Sequence, residues 1–140
     1  MGQKVNNKLI REYIDSEELL LIREKYQSDS NCFYIEIDGA DMMYGDTCID
    51  VIKTAFQCPY DYPREISYIG DILFDLAWIN KKQIVVVIEN LDLILCNENK
   101  YSDNIALDYL RTHILPFWNN NDKQASNYCE KYFNVYFIKQ

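Results

Sequence analysis

Carboxylates and aromatic rings are concentrated between positions 58 and 78, the part of this sequence best suited to chemistry or recognition. Paired carboxylates can act as acid and base, although that chemistry also requires a pocket and a shifted pKa. Beside tyrosine and tryptophan rings, carboxylates also suit the recognition of a cationic groove on another protein. The candidate partner-binding residues are Tyr60, Asp61, Tyr62, Glu65, Ser67, Tyr68, Asp71, Asp75 and Trp78.

Motifs typical of a reaction centre do not accompany these residues. His113 is the only histidine, and no Ser or Cys stands in a recognisable nucleophile motif. The sequence also lacks metal-ligand spacings and a glycine-rich phosphate loop. It therefore predicts no catalytic residues, no cofactor and no metal site, and a protein that is not an enzyme.

The net charge of −8 lies almost wholly in one segment of the chain. Residues 31–80 contain nine acidic and two basic side chains, a net charge of −7. Because phosphate binding requires clustered Lys and Arg, we do not expect direct binding to nucleic acid. A basic protein is the better-matched partner, and an acidic excess that serves only solubility is the alternative.

Cysteine usage and hydropathy bear on the compartment. The five cysteines are an odd number without a CxxC pair, which predicts reduced thiols packed as small hydrophobic groups, Cys58 and Cys96 among them. No apolar run approaches the roughly 18 residues of a membrane span. The first residues lack the apolar core of a secretory signal. We therefore expect a cytoplasmic protein without a membrane partner.

Capping signals and hydrophobic periodicity predict three strands separated by helices. Asp15 and Glu18 form a capping box before an apolar stripe, and the β-branched run at 83–89 is typical of a strand covered on both faces. The predicted elements are a helix near 16–27, a strand from Phe33 to Ile37, a helix capped by Asp46 or Thr47, a helix at about 65–78, the strand at 83–89, a short helix near 91–97, a helix near 102–118 distorted by Pro116, and a strand at 132–139.

Helices between successive strands imply parallel pairing. The expected fold class is α/β, with a small three-stranded parallel sheet packed with helices over residues 31–140. Residues 1–30 are predicted to be an N-terminal extension with one helix, whose apolar stripe covers an open side of the sheet. The alternative is that this helix forms part of the partner surface. On the helix at 65–78, Asp71 lies three positions after Tyr68, and Asp75 continues that face at the next turn.

The central segment also contains a family-like motif. Pro59 and Tyr62 lie in a loop that contains proline and aromatic residues. Asp71 and Leu73 supply an acid and a leucine in the later part of the predicted helix, and residues 75–78 have the sequence Asp-Leu-Ala-Trp. On these residues the chain resembles the barstar-like family of intracellular ribonuclease inhibitors, over roughly residues 32–139. It departs from the family pattern at Pro63, Glu65, Ser67, Tyr68 and Gly70.

The resemblance implies a barstar-like fold and the role of an immunity protein. Such a protein would bind a cognate toxin with a basic active-site groove, a nuclease such as an RNase, and cover that groove with the loop and helix around Asp71. The alternative is a protein-binding module of the same fold with a non-nuclease partner or a regulatory role. Asp71 could instead be only a solvated acid on the helix surface. We expect Trp78 to pack against the core, and Glu36 and Asp38 to face solvent or a sheet edge.

Overall fold

Four parallel strands form the sheet at the centre of the molecule. The computed structural model of the chain describes residues 9–101, 105–119 and 131–138. The strands are β1 (Leu9–Ile14), β2 (Cys32–Asp38), β3 (Gln83–Glu89) and β4 (Tyr132–Ile138). Their order across the sheet is β1-β4-β3-β2, and every neighbouring pair is parallel. The predicted α/β class with parallel pairing is confirmed.

The central strand β3 is buried on both faces, as its β-branched composition predicts. Ile84, Val86 and Ile88 belong to the larger hydrophobic core. Val85 and Val87 point to the opposite face and contact smaller clusters that include residues of the first helix. The alternation of side chains along the strand thus divides the helices into two layers, one on each face of the sheet.

The first helix, α1 (Ser16–Tyr26), begins at the predicted capping box. The Asp15 side chain accepts from the Glu18 backbone N–H at 2.8 Å, and the Glu18 side chain accepts from the Asp15 N–H at 3.1 Å. Leu19 packs with Val87, and Tyr26 packs with Val85. The helix covers this side of the sheet through Leu19, Ile22 and Tyr26, as expected, whereas Leu20 of the predicted apolar stripe is 56% exposed.

A fourth strand within the first 30 residues was not predicted. β1 pairs with β4, with irregular register between Leu9 and Ile14. Its sequence alternates poorly, because Arg11 and Glu12 interrupt the apolar residues, so the period-2 signal of a strand is weak. The predicted extension therefore supplies an edge of the sheet, and the domain boundary predicted at residue 30 falls between α1 and β2.

The second helix, α2 (Gly45–Ala55), begins one residue before Asp46 and two residues before Thr47, the two predicted caps. Tyr44 occupies the N-cap position instead of Asp46 or Thr47. Thr47 still stabilises this end, because its Oγ1 accepts from the Tyr44 N–H at 3.2 Å and donates to the Tyr44 carbonyl at 3.1 Å. The predicted cap residues were thus wrong in position.

The helix predicted at 65–78 is much shorter in the structure. A 3₁₀ turn (Ile66–Tyr68) leads into α3 (Ile69–Leu73), and the chain then turns. Leu76 adopts a left-handed conformation with φ of 53° while its side chain is fully buried. Asp75 accepts from the Ala77 N–H at 3.2 Å in this turn, so it does not continue the helical face of Asp71 as predicted.

The last helical region is segmented around a proline. It consists of α4 (Ile105–Tyr109), a π-helical segment (Leu110–Ile114) and α5 (Leu115–Asn119). Pro116 has no N–H to donate along the helix, which fits the predicted distortion. The helix predicted near 91–97 is a 3₁₀ turn (Leu91–Leu93), and residues 102–104 and 139 lie outside the described residues. No helix in the described part of the chain is long and apolar enough to cross a bilayer.

Candidate functional site

Four aromatic side chains, Tyr60, Tyr62, Tyr68 and Trp78, form a continuous group that we call the aromatic cluster. The Tyr60 ring centroid lies 5.7 Å from that of Trp78 and 6.2 Å from that of Tyr62, both edge-on. The Tyr62 and Tyr68 centroids are 5.6 Å apart. Tyr60 is 51% exposed, whereas the other three are half-buried. The cluster therefore presents one exposed ring that is supported by three partly buried rings.

Hydrogen bonds to the backbone hold the loop under this cluster. Trp78 Nε1 donates to the Phe56 carbonyl at 2.7 Å, which ties the cluster to the end of α2. Lys53 Nζ, also from α2, donates to the Tyr62 carbonyl at 2.7 Å. Both bonds connect residues that are distant in sequence, and they restrain a loop that has no strand or helix of its own. The core packing favoured for Trp78 is confirmed in part, since its ring packs against the larger core while remaining half-exposed.

Two carboxylates lie close to the aromatic cluster. Burial, and after it the charge of Asp71, raises the pKa of Tyr62, with a smaller contribution from Asp75. Burial followed by Asp71 also raises the pKa of Tyr109 on α4. Asp71 is exposed and lies between the loop and α4, while Asp75 is half-buried in the turn after α3. The structure therefore brings Asp71 and Asp75 beside the predicted rings, although not on one helical face.

Arg64 is held by acidic side chains of α2. Its Nε lies 3.0 Å from both Asp50 oxygens, and its Nη2 lies 2.7 Å from Asp50 Oδ2 and 3.8 Å from Asp46. This hydrogen bonding lowers the pKa of Asp50. With Lys53 bonded to a carbonyl, both basic side chains of residues 31–80 are engaged within the protein.

Three exposed carboxylates of the predicted site keep no such partner. Asp61, Glu65 and Asp71 are exposed, and none of them forms an ion pair with another described residue. We call these three residues the free acidic set. Their charges are not neutralised by the described residues, so they remain available to a cationic partner.

Glu36 and Asp38 lie on the edge strand β2, as predicted, and Glu36 is exposed, but both are also engaged by hydrogen bonds. Glu36 accepts from Arg23 Nε at 2.6 Å, from Arg23 Nη2 at 2.8 Å and from the Tyr34 hydroxyl at 2.6 Å. The hydrogen bond from Arg23 lowers the pKa of Glu36. Asp38 accepts from the Ala40 N–H at 2.9 Å and from Asn90 Nδ2 at 2.8 Å. These two acids therefore stabilise the fold.

Glu65 and Ser67 line a cavity that sequence reasoning did not anticipate. It has a volume of about 680 Å³ and lies between α2, the 3₁₀ turn Ile66–Tyr68, residues 94–101 and α4. Sequence reasoning also missed the supporting roles of Lys53, Asp50 and Tyr109. Lys53 and Arg64 are the only bases among residues 31–80, and this scarcity could have indicated that they have a supporting role. Nothing in the sequence indicates Tyr109, because only the fold brings it near Asp71.

The cysteines divide by burial rather than sharing one environment. Cys32 and Cys48 are buried and free, and burial raises their pKa to about 11 and about 12. Cys58 is half-buried and Cys96 is exposed, so the prediction that both are buried was wrong. Cys96 follows a turn at the surface, where its neighbours do not cover it. Among the described residues no group of three His, Cys, Asp or Glu side chains is placed to hold a metal ion.

Comparison with known proteins tests whether the motif marks a recognisable relationship. No protein-family model, no curated protein and no solved structure matches this chain. The similarity to barstar-like proteins therefore stays a prediction from the motif between Pro59 and Trp78.

Proposed function

We propose that this protein is an immunity protein that binds a cognate protein toxin, a nuclease, and blocks its basic active site. The observation that supports the proposal most is the pairing of the aromatic cluster with the free acidic set. Asp71 is close enough to Tyr62 to raise the pKa of that ring, Asp61 stands between Tyr60 and Tyr62 in the chain, and the nearby bases are engaged within the protein. The proposal places the protein in the cytoplasm, with a barstar-like fold and no direct nucleic-acid contact.

A nuclease groove concentrates Lys, Arg and His side chains to hold phosphates. Exposed carboxylates such as Asp71 and Asp61 can replace those phosphates through charge-assisted hydrogen bonds. Tyrosine and tryptophan rings contribute large contact areas at a low entropic cost, because they have few rotatable bonds. An acidic surface of this kind also accelerates association with a basic partner, and salt weakens that effect.

Restraint of the loop supports the same proposal. Lys53, Arg64 and Trp78 each hold the segment that contains the cluster through bonds of 2.7 Å to the backbone or to Asp50. A loop already held in one conformation loses less entropy when it binds. The surface therefore meets the physical requirements for tight recognition without an ordering step.

A second candidate is a protein-binding module of the same fold with a non-nuclease partner. Ser67 stands where the family has its first helix aspartate, and Gly70 replaces a bulky residue. In the structure Ser67 lines the cavity, whereas no residue of the aromatic cluster does. The contact surface of this chain is thus not a copy of the family surface, which favours a change of partner.

The test is co-expression with the product of the neighbouring reading frame, followed by purification and assays of RNA and DNA cleavage. We expect a one-to-one complex that abolishes cleavage and weakens as salt rises. The variant Asp71→Lys should release the nuclease, whereas Asp92→Lys, the same charge change at another exposed acid, should not.

The outcomes separate the two candidates. A tight complex whose partner cleaves neither RNA nor DNA would move the function to the non-nuclease module. Equal inhibition by Asp71→Lys and Asp92→Lys would show that the free acidic set is not the interface. Absence of any complex would leave the proposal without a partner and contradict it for this gene pair.

A further inference from the structure

The aliphatic cavity beside the free acidic set reaches from the surface to the buried core. Its volume is about 680 Å³, within the range of roughly 300–1,000 Å³ typical of small-molecule sites. Met42, Ile88 and Ile114, which line its inner part, are each less than 5% exposed. Ile66, Ile69, Ile105 and Ala106 line its outer part and are half-buried. The walls therefore contain aliphatic side chains from the sheet to the mouth, together with Tyr101 and Tyr109.

Two glycines let the walls of this cavity approach one another closely. A Cβ on Gly45 would lie 3.3 Å from Glu98 Oε2, and a Cβ on Gly70 would lie 3.1 Å from the Tyr109 hydroxyl oxygen. Both distances are shorter than ordinary van der Waals contact. The Gly45 N–H donates to Glu98 Oε2 at 2.7 Å, which fixes residues 94–101 against the start of α2.

The polar groups of the cavity are predominantly acidic. Asp46, Glu65 and Glu98 line it together with a single lysine, Lys100. Asp46 lies 3.8 Å from Arg64 and Glu98 accepts from the Gly45 N–H, so Glu65 is the acid that neither contact engages. The Lys100 ammonium lies 5.5 Å from the centroid of the neighbouring Tyr101 ring and therefore has a cation–π partner of its own. Glu65 is exposed and has no ion-pair partner among the described residues. An apolar cavity with an acidic lining suits a ligand with an apolar body and a positive charge.

We propose that this cavity binds a small amphiphile with an aliphatic body and a cationic amino group. The aliphatic part contacts the isoleucine walls, and the ammonium lies near Glu65 at the edge of the cavity. Burial of apolar surface supplies most of the affinity, and the carboxylates determine the sign of charge that the site accepts. The site shares Glu65 with the free acidic set, but it can be tested separately from the proposed toxin interaction, because a small ligand is detected without any partner protein.

The test is a titration of the full chain, with isoleucine methyl groups labelled for NMR, using three probes of equal length: octylamine, octan-1-ol and octanoate. We expect saturable shifts at Ile66, Ile69 and Ile105, with octylamine binding about tenfold more tightly than octanoate and octan-1-ol between them. Equal affinities for octylamine and octanoate would overturn the proposal. Shifts absent from these methyl groups would overturn it as well.

Two variants separate the charge from the cavity. Glu65→Gln should weaken octylamine binding about threefold without changing that of octan-1-ol, and Glu17→Gln on α1 is the matched control that should change neither. Ala106→Leu should fill the outer cavity and weaken all three probes about tenfold, with dispersed methyl signals reporting that the chain is folded. Unchanged binding in a folded Ala106→Leu protein would place the probes elsewhere and contradict the proposal.

Discussion

Glu36 and Asp71 are both acidic side chains in the most acidic segment of the chain, but their surroundings differ. Glu36 accepts two hydrogen bonds from Arg23 and one from Tyr34, and these bonds join α1 to β2. Asp71 stays exposed beside the aromatic cluster, and no described residue forms an ion pair with it. One carboxylate stabilises the fold, and the other stays exposed without an ion pair to a described residue.

The comparison shows that formal charge and available charge are different quantities. Residues 31–80 have a net charge of −7, yet Glu36, Asp50 and Asp46 form surface ion pairs with arginines of the same chain. Within residues 31–80 the exposed acids without an ion pair to a described residue are the free acidic set and Asp41. A count of acids in the sequence therefore locates the acidic segment, while the ion pairs determine which part of it is a recognition surface.

The largest expected effect is a loss of affinity for the proposed toxin when Asp71 is neutralised, compared with the same change at Glu36. Asp71→Asn should weaken the complex with the toxin about 30-fold, because the partner's cation loses its counter-charge, with no change in melting temperature. Glu36→Gln should leave the affinity within about twofold, because Arg23 already neutralises that carboxylate. Both affinities can be measured by calorimetry. Equal losses for the two variants would break the comparison.

A smaller loss should follow from removal of the exposed ring of the cluster. Tyr60→Ala should weaken the complex about tenfold, since an aromatic anchor at an interface typically contributes this much or more. Tyr44→Ala is the matched control, because Tyr44 is 52% exposed, nearly the same as Tyr60, and lies outside the cluster. An equal loss of affinity in both variants, measured in the same assay, would remove the cluster from the interface.

The smallest effect is on stability, and it depends on pH. The folded-state pKa of Glu36 is lowered, so its stabilisation is present above its unfolded pKa and is lost as pH falls through the folded value. Glu36→Gln should lower the melting temperature by about 2–4 °C at pH 7, and the difference should shrink below about pH 4. Glu65→Gln, which removes an acid without an ion pair, should have no such pH-dependent effect. A constant difference for Glu36→Gln at all pH values would contradict this role.

Elements with strong local signals were predictable from sequence. The capping box of Asp15 and Glu18 located α1, and the β-branched run located β3. The end of α3 was not predictable, because the apolar period continues through Leu76, which is buried in a left-handed conformation that tertiary packing stabilises. β1 was missed because its sequence pattern is weak and its partner β4 lies at the other end of the chain.

The residues of the candidate site were predictable from sequence, but the hydrogen bonds that hold its loop were not. The loop motif indicated the rings of Tyr60, Tyr62 and Trp78, and the structure brings these rings into contact. The bonds from Lys53 to the Tyr62 carbonyl and from Trp78 to the Phe56 carbonyl join side chains to distant backbone. No residue spacing encodes such bonds, and the cavity beside them likewise depends on how four separate segments pack.

Hydrogen–deuterium exchange of the protein, alone and bound to its toxin, tests the central claim most directly. The account predicts slower exchange on binding for amides of residues 57–73, which include the loop and α3, and unchanged exchange for α1. Protection confined to α1 and β2, with residues 57–73 unaffected, would show that the partner binds around the Arg23–Glu36 ion pair and would contradict the account.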